Sequence, residues 1–197
     1  MDTILLTGPK HAGKTSAGRA LAALVSGVFI DLDEYIEAQT GKSPRTLYRE
    51  GPGVFRKAEA EALEHLLAPP EHRPPENAAG GRDGKTPRII AAGGGLIDNP
   101  EALEQIKKSA AATVYLEVPV KTAWERIFRA AEKGGLPPFL DTGNPRETHR
   151  ALHEKRAAAY RAWARFTVNG EGKSPEEIAG DLLRKLAPGT PARAERR

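Results

Sequence analysis

The chain carries, close to its first residue, a cluster of residue types that suits phosphate binding. The stretch GPKHAGKTS, residues 8–16, fits the pattern G-x-x-x-x-G-K-[ST]. Glycines let successive backbone N–H groups turn toward one centre, and the start of a following helix adds positive potential. The lysine of such a loop reaches the β- and γ-phosphates, and the hydroxyl is a ligand of Mg²⁺. The pattern predicts a site for ATP and Mg²⁺ made by His11, Ala12, Gly13, Lys14, Thr15 and Ser16.

A pair of acidic residues follows the next apolar run. Asp31 and Asp33 are spaced i, i+2 after the run VFI, whereas the later run RIIAA at 88–92 offers no carboxylate at its end. Two carboxylates beside a phosphate loop can divide the work. One can orient a magnesium-bound water or accept a proton, while the other holds a hydroxyl of the phosphate acceptor. The alternative is that Asp33 only caps the helix that follows.

The elements that position these residues alternate between strand and helix. Short apolar runs predict strands at 3–7, 28–31, 88–92, 113–118 and 166–169. Apolar residues at helical spacing predict helices at 14–25, 33–39, 44–67 with an interruption at 51–53, 100–108, 119–133, 146–164 and 175–186. Such alternation is typical of an α/β protein in three layers, α/β/α, with a five-stranded parallel sheet.

Composition limits the possible classes of protein. The chain has 197 residues and no cysteine, which excludes disulfides, thiolate metal sites and a cysteine nucleophile. We expect one domain at 1–187, with a surface loop insertion at about 69–87 and a flexible basic tail at 188–197. The first residues lack the features of a secretory signal and no apolar run is long enough for a membrane helix, so we expect a cytoplasmic protein. The net charge is +4, and the basic residues are scattered along the predicted helices. This distribution favours small anionic ligands over nucleic acid.

Several stretches in a particular order make the chain resemble the shikimate kinase family. They are GPKHAGKTSAGRALA at 8–22, FIDLDEYIE at 29–37, GVFRKAEAEAL at 53–63, IIAAGGGLI at 89–97 and EKRAAAY at 154–160. The phosphate loop alone is common to many nucleotide-binding proteins. The order D-x-D, F-R-x-x-E, triple glycine and R-x-x-x-Y is much more specific, and the resemblance extends over roughly residues 1–186.

The resemblance implies a P-loop kinase fold like that of nucleoside monophosphate kinases and an ATP-dependent phosphorylation of the 3-hydroxyl of shikimate. It implies that Asp33 binds the hydroxyls of shikimate and that Asp31 lies near the metal and the attacking oxygen. Together with Lys14 these residues form the expected catalytic set, and Thr15 with Asp31 the expected metal ligands. We expect the protein to act as a monomer.

The resemblance also assigns the acceptor site. Arg56 and Arg156 match two arginines that clamp the carboxylate of shikimate, and Gly93, Gly94 and Gly95 match the glycine run that lines the pocket. The chemistry of the residues agrees, because the planar fork of arginine suits a carboxylate and glycine lets the backbone approach a ring closely.

One departure from the family lies in the lid, at about 134–145. Shikimate kinases usually carry an arginine there, in a segment of the form R-P-L-L, that neutralises charge in the transition state. Residues 136–140 read LPPFL, so Pro137 stands in its place. We expect a nearby cation to substitute; the candidates are Arg126, Arg129, Lys133 and Arg146, of which Arg129 and Lys133 flank the loop and are favoured. Arg129 is thus predicted to bind the nucleotide.

Two other functions remain open from the sequence. A pair of arginines with D-x-D suits any polyhydroxy carboxylate, so a kinase acting on a sugar acid such as gluconate is one alternative. A catalytically silent nucleotide-binding relative is the other, because of Pro137. The histidines His149 and His153 are spaced i, i+4 without a nearby third ligand, which favours a surface helix over a metal site.

Overall fold

The computed structural model describes residues 2–69 and 86–187. The predicted tail at 188–197 and most of the predicted insertion at 69–87 lie outside the described residues. Within the described part, no helix combines the length and the apolar character that crossing a membrane requires.

Five parallel strands form one sheet, as predicted. They are β1 (Thr3–Thr7), β2 (Val28–Asp31), β3 (Arg88–Ala91), β4 (Ala112–Glu117) and β5 (Phe166–Asn169), in the spatial order β2-β3-β1-β4-β5. The order places β3 and β1 side by side at the centre, with β2 beyond β3. The loops that follow β1, β2 and β3 therefore meet at one edge of the sheet, where the carboxyl ends of parallel strands gather.

Eight α-helices connect and cover the strands in the described residues. They are α1 (Lys14–Leu24), α2 (Leu32–Thr40), α3 (Pro44–Glu50), α4 (Pro52–Leu67), α5 (Pro100–Lys108), α6 (Val120–Gly134), α7 (Pro145–Trp163) and α8 (Pro175–Leu186). The predicted helix at 44–67 is divided because Pro52 has no N–H with which to continue α3, and it begins α4 instead. Short 3₁₀ helices span Leu96–Asp98 and Pro138–Leu140.

Alternating side chains of the strands build a core on each face of the sheet. In β1, Ile4 and Leu6 pack on the face covered by α1 and α8, and Leu5 packs on the face covered by α2, α4 and α5. Helix α7 adds Tyr160, whose ring stacks on that of Tyr115 in β4. The sheet is thus buried on both sides, which accounts for strands that are apolar at nearly every position.

Candidate active site

The phosphate loop is the turn from β1 into α1. Gly8 has a φ of 144°, and a Cβ there would fall 2.4 Å from the carbonyl oxygen of Leu116, so only glycine fits. Gly13 also has a positive φ, of 99°. The Nζ atom of Lys14 donates to the carbonyl oxygens of Gly8 and Pro9 at 3.0 and 2.8 Å. The lysine is thereby folded back over the loop that a triphosphate would occupy.

Burial lowers the pKa of Lys14 to about 8; the charge of Asp33 opposes this shift and that of Lys10 adds to it. A bound nucleotide favours the protonated lysine, so nucleotide affinity is greatest below pH 8. We expect the Kd for ADP to rise up to about tenfold per pH unit above pH 8, and titrations between pH 7 and 9.5 measure this. The Lys14→Arg variant, which stays charged, should show no such rise; a flat profile in the parental protein contradicts the assignment of Lys14.

The acidic pair is organised by Asp31. Its Oδ2 accepts from the hydroxyl of Thr15 at 2.9 Å, and its Oδ1 accepts from the backbone N–H of Asp33 at 3.1 Å. Asp31 is therefore the N-cap of α2. Because the cap is Asp31, the alternative that Asp33 serves only as a helix cap does not hold. The carboxylate of Asp33 borders a cavity instead, and burial together with the charge of Asp31 raises its pKa.

The oxygens of Thr15 and Asp31 fit the requirements of Mg²⁺. A hydroxyl and a carboxylate lie within 2.9 Å of each other at the end of the phosphate loop, and hard oxygen donors are the ligands that Mg²⁺ prefers. In the described part of the chain no group of three or more acidic or histidine side chains is placed to hold a metal alone. Nucleotide phosphates and waters complete the magnesium shell in kinases, so this sparse set suits a metal that arrives with a nucleotide.

The glycine run after β3 packs against the phosphate loop. A Cβ on Gly94 would lie 3.0 Å from the backbone nitrogen of Lys10 and 3.2 Å from the carbonyl oxygen of Gly8. A Cβ on Gly93 would lie 3.7 Å from Asp33 Oδ1, and one on Gly95 would lie 3.3 Å from a terminal nitrogen of Arg156. The run thus joins the phosphate loop, the acidic pair and one arginine.

A single cavity of about 840 Å³ brings most of the predicted residues together. Of the predicted site, these border it: His11, Gly13, Lys14, Thr15, Ser16, Asp31, Asp33, Gly93, Gly94, Gly95 and Arg156. Three predicted residues do not: Ala12 is buried in the core, and the side chains of Arg56 and Arg129 are exposed. The structure therefore brings one of the two expected arginines to the cavity.

Arg56 lies next to the cavity in the chain without bordering it. Its neighbours Phe55 and Glu59 line the cavity, and the positive charge of Arg56 acts on Glu59 by lowering its pKa. The backbone of Arg56 is held in place, since its carbonyl oxygen accepts from Asn99 Nδ2 at 2.8 Å. The exposed side chain is the part that would have to turn inward to reach an acceptor.

Glu59 is a site residue to which the sequence assigned no role. It is buried, its Oε2 accepts from Asn99 Nδ2 at 2.8 Å, and its Oε1 has no hydrogen-bond partner among the described residues. Burial raises its pKa to about 7 and the nearby charge of Asp33 adds to this, while the Asn99 hydrogen bond opposes it. Glu59 lies on the buried stripe of α4 with Leu63 and Leu66, and a glutamate on such a stripe is the signal that could have identified it.

Glu59 should cost the folded protein stability at alkaline pH. Its pKa rises on folding from 4.5 to about 7, so the native state binds more protons than the unfolded state between these values. Stability therefore falls as pH rises through this window. We expect Glu59→Gln to raise the free energy of unfolding by about 3 kcal/mol at pH 8 and hardly at all at pH 4. Urea unfolding at the two pH values measures this; equal effects at both pH values contradict it.

Of the three cations considered for the lid whose side chains the structure describes, Arg126 is the one that borders the cavity. Its Nη1 donates to the carbonyl oxygen of His11 in the phosphate loop at 3.0 Å. Arg129 and Arg146 are exposed and do not border the cavity, and the side chain of Lys133 lies outside the described residues. Pro137 itself borders the cavity, so the position at which the resemblance implies an arginine lies at the cavity wall.

The histidines of α7 are not on the surface, contrary to expectation. His149 and His153 are buried, and the ring of His149 lies 5.5 Å from that of Trp124, centroid to centroid. Burial lowers the pKa of His149 to about 4, so this ring is neutral at pH 7. Positions 149, 153, 157 and 160 form one stripe of α7 that packs inward, which explains their burial.

Comparison with known proteins shows what the chain is similar to. A family model described as "Shikimate kinase" matches residues 10–72 and 82–187. The shikimate kinase of Thermus thermophilus is 34% identical over 184 residues, which cover 93% of this chain and 89% of the relative. The structure of shikimate kinase from Acinetobacter baumannii in complex with shikimate has a TM-score of 0.75 at 30% identity, covering 93% of this chain and 92% of the other.

A gluconokinase from Sinorhizobium meliloti is more distant, with 17% identity and a TM-score of 0.57 over 93% of this chain and 90% of the other, and this likeness shows only a shared fold. The part of the chain that the family model matches includes residues 10–16 of the phosphate loop, the acidic pair, the glycine run and Arg156. On these grounds the chain belongs to the shikimate kinase family.

Proposed function

We infer that this protein transfers the γ-phosphoryl group of ATP to the 3-hydroxyl of shikimate. The observation that carries the inference is the common cavity of the phosphate loop, Asp33, the glycine run and Arg156, in a chain of this family. One side of the cavity has the donors that a triphosphate needs. The other side has a carboxylate and an arginine, which suit a ring with hydroxyl groups and a carboxylate.

Asp33 has the properties of the residue that holds and deprotonates the attacking hydroxyl. In the transfer, the hydroxyl oxygen forms a bond to the γ-phosphorus, the bond from that phosphorus to the β–γ bridging oxygen breaks, and the hydroxyl proton moves to Asp33. The raised pKa of Asp33 makes it a stronger base than an ordinary aspartate. Its place beside Gly93 leaves the acceptor room to approach.

Lys14 and the backbone of the phosphate loop hold the phosphates. Lys14 exchanges its present carbonyl partners for phosphate oxygens when the nucleotide binds. Thr15 and Asp31 would hold Mg²⁺, which when bound neutralises charge on the β- and γ-phosphates. Asp31 stays tied to Thr15 and to the start of α2, so both aspartates keep their spacing.

Arg156 and Arg56 together bind the carboxylate of the acceptor. Arg156 already borders the cavity, and Phe139 of the lid segment lies over its guanidinium, with 5.8 Å from Cζ to the ring centroid. Arg56 supplies the second guanidinium by turning its exposed side chain toward the cavity when the acceptor binds. Closure of a lid at about 134–145 over both substrates would exclude water.

We also propose how the chain is organised and where it works. Residues 1–187 work as a single domain, and the protein acts as a cytoplasmic monomer without a nucleic-acid or membrane partner. Arg126 takes the role of the family's lid arginine, because it borders the cavity and touches the phosphate loop.

Release of ADP in a coupled assay, with shikimate and gluconate as separate acceptors, tests the function. We expect release that depends on shikimate and on Mg²⁺, with a phosphorylated product that ³¹P NMR identifies as a monoester. Release that depends on gluconate instead would identify a sugar-acid kinase. Binding of ATP with turnover of neither acceptor would identify a silent relative, and either result overturns the proposal.

A further inference from the structure

The segment after the glycine run touches both helices that carry the proposed arginines. Asp98 ends the 3₁₀ helix Leu96–Asp98, and its Oδ2 accepts a hydrogen bond from Nε of Arg156 at 2.8 Å and lies 2.7 Å from Nη2 of the same guanidinium. The two side chains are only 22% and 24% exposed. This is an ion pair at the wall of the proposed acceptor site, shielded from most of the solvent, and not a surface contact.

The next residue, Asn99, fixes the same segment to α4. Its Nδ2 donates to the carbonyl oxygen of Arg56 and to Glu59 Oε2, both at 2.8 Å. Its Oδ1 accepts from the backbone of Ala102 and caps α5, and Asn99 itself is buried. Asp98 therefore projects from a backbone that is tied to α4 and α5.

The 3₁₀ helix is also fixed to α7. The backbone N–H of Ile97 donates to the hydroxyl of Tyr160 at 3.2 Å, and Leu96 is fully buried. Tyr160 lies one turn beyond Arg156 on the same helix. The distance from Asp98 to the base of the Arg156 side chain is thus set by two rigid elements, and the ion pair determines where the guanidinium points.

The pair leaves Arg156 able to bind an anion. Nε–H donates to Asp98, and the guanidinium carries four further N–H groups on its two terminal nitrogens, of which Nη2 lies 2.7 Å from Asp98 Oδ2. Nη2 lies 3.3 Å from the place of a Cβ on Gly95, so the nitrogen that pairs with Asp98 also lies beside the glycine run. The planar fork keeps its remaining donors in a fixed direction once one edge is held.

We propose that Asp98 is a positioning residue that sets the affinity for the acceptor by holding Arg156 in its binding orientation. The inference rests on the proposed function of the cavity and deepens it. Without Asp98 the long side chain of Arg156 gains rotamers that do not face the glycine run, and the acceptor must order it on binding. The negative charge of Asp98 repels the acceptor carboxylate. At a partly hydrated site, we expect the affinity gained from a correctly oriented Arg156 guanidinium to exceed the affinity lost through this repulsion.

Kinetic constants of Asp98→Ala and Asp98→Asn test the proposal. We expect Asp98→Ala to raise the KM for shikimate about tenfold while the KM for ATP stays within twofold. Asparagine keeps an oxygen for Nε–H without the charge, so Asp98→Asn should recover most of the loss. In an Arg156→Ala background, Asp98→Ala should lower kcat/KM for shikimate no further, because Asp98 acts through Arg156. A KM equal to or below the parental value in Asp98→Ala, or additive losses in the double variant, overturns the proposal.

A second readout separates this proposal from the function itself. The Nε–H of Arg156, assigned by its loss in Arg156→Lys, should give a protected signal in ¹⁵N NMR that Asp98→Ala abolishes and Asp98→Asn keeps. This signal does not depend on turnover. An inactive parental protein would therefore contradict the proposed function, while the orientation of Arg156 by Asp98 could still be tested. Asp181→Ala is the matched control. Asp181 lies on α8, away from the cavity, and it pairs with Lys173 at 2.6 Å and with Arg184. A similar rise in KM in this control overturns the assignment to Asp98.

Discussion

Asp33→Asn is expected to lower kcat with shikimate by about 10³-fold, the largest effect of any single change proposed for this protein. Asparagine keeps the size of the side chain and can hold a hydroxyl, but it cannot accept the proton of the attacking oxygen. A positioned general base contributes about 10²–10⁴-fold. The raised pKa of Asp33, caused by burial and by Asp31, is lost with the carboxylate.

Single-turnover rates and ADP titrations separate the chemical step from binding in this variant. The Kd for ADP should stay within about threefold, because the phosphate loop and Asp31 are untouched. Glu34→Gln on the same helix is the matched control: Glu34 is exposed, and its partner Arg19 lies 3.6 Å away on the surface. An Asp33→Asn enzyme with more than a tenth of the parental kcat contradicts the role of Asp33.

Arg126→Ala should lower kcat by about 10²-fold or more, the second-largest effect. An arginine that neutralises the transferring phosphoryl group contributes about 10³–10⁵ in other kinases and GTPases. Pro137 cannot do this, and Arg126 is the described cation of α6 that reaches the phosphate loop. Steady-state kcat values of Arg126→Ala and Arg129→Ala measure the difference. Parental turnover in Arg126→Ala with a loss in Arg129→Ala would instead support the interpretation from the sequence.

Restoring the family's arginine gives a stricter test of the same point. Pro137 is the N-cap of the short 3₁₀ helix Pro138–Leu140 and has a φ of −55° and a ψ of 144°, a backbone conformation that arginine also adopts. Pro137→Arg in the Arg126→Ala background should therefore recover turnover by at least tenfold. If the double variant recovers no turnover although it unfolds normally in urea, the two positions do not share a role.

The sheet could be predicted from the sequence because each strand is a short apolar run next to glycine, proline or acid. β1, β2 and β5 begin and end where the pattern placed them, and β3 and β4 differ by one residue at one or both ends. The phosphate loop could be predicted equally well, because all of its residues lie in one continuous segment. Patterns of this kind are local, and local patterns are what a single sequence records most directly.

The contacts that tune the site could not be predicted in the same way. Asp98 meets Arg156 across 58 residues, and Asn99 meets Glu59 across 40, so no spacing rule connects them. The choice between Arg126 and Arg129 depends on which face of α6 turns inward. Buried Ala123 and Ile127 mark that face and could have favoured Arg126.

A structure with ADP and shikimate bound tests the central claim most directly, because it measures where the acceptor carboxylate and the 3-hydroxyl lie. We expect guanidinium nitrogens of both Arg156 and Arg56 within about 3.2 Å of the carboxylate, and a carboxylate oxygen of Asp33 within the same distance of the hydroxyl. An Arg56 side chain that stays in solvent while shikimate binds away from Asp33 and Arg156 would contradict it.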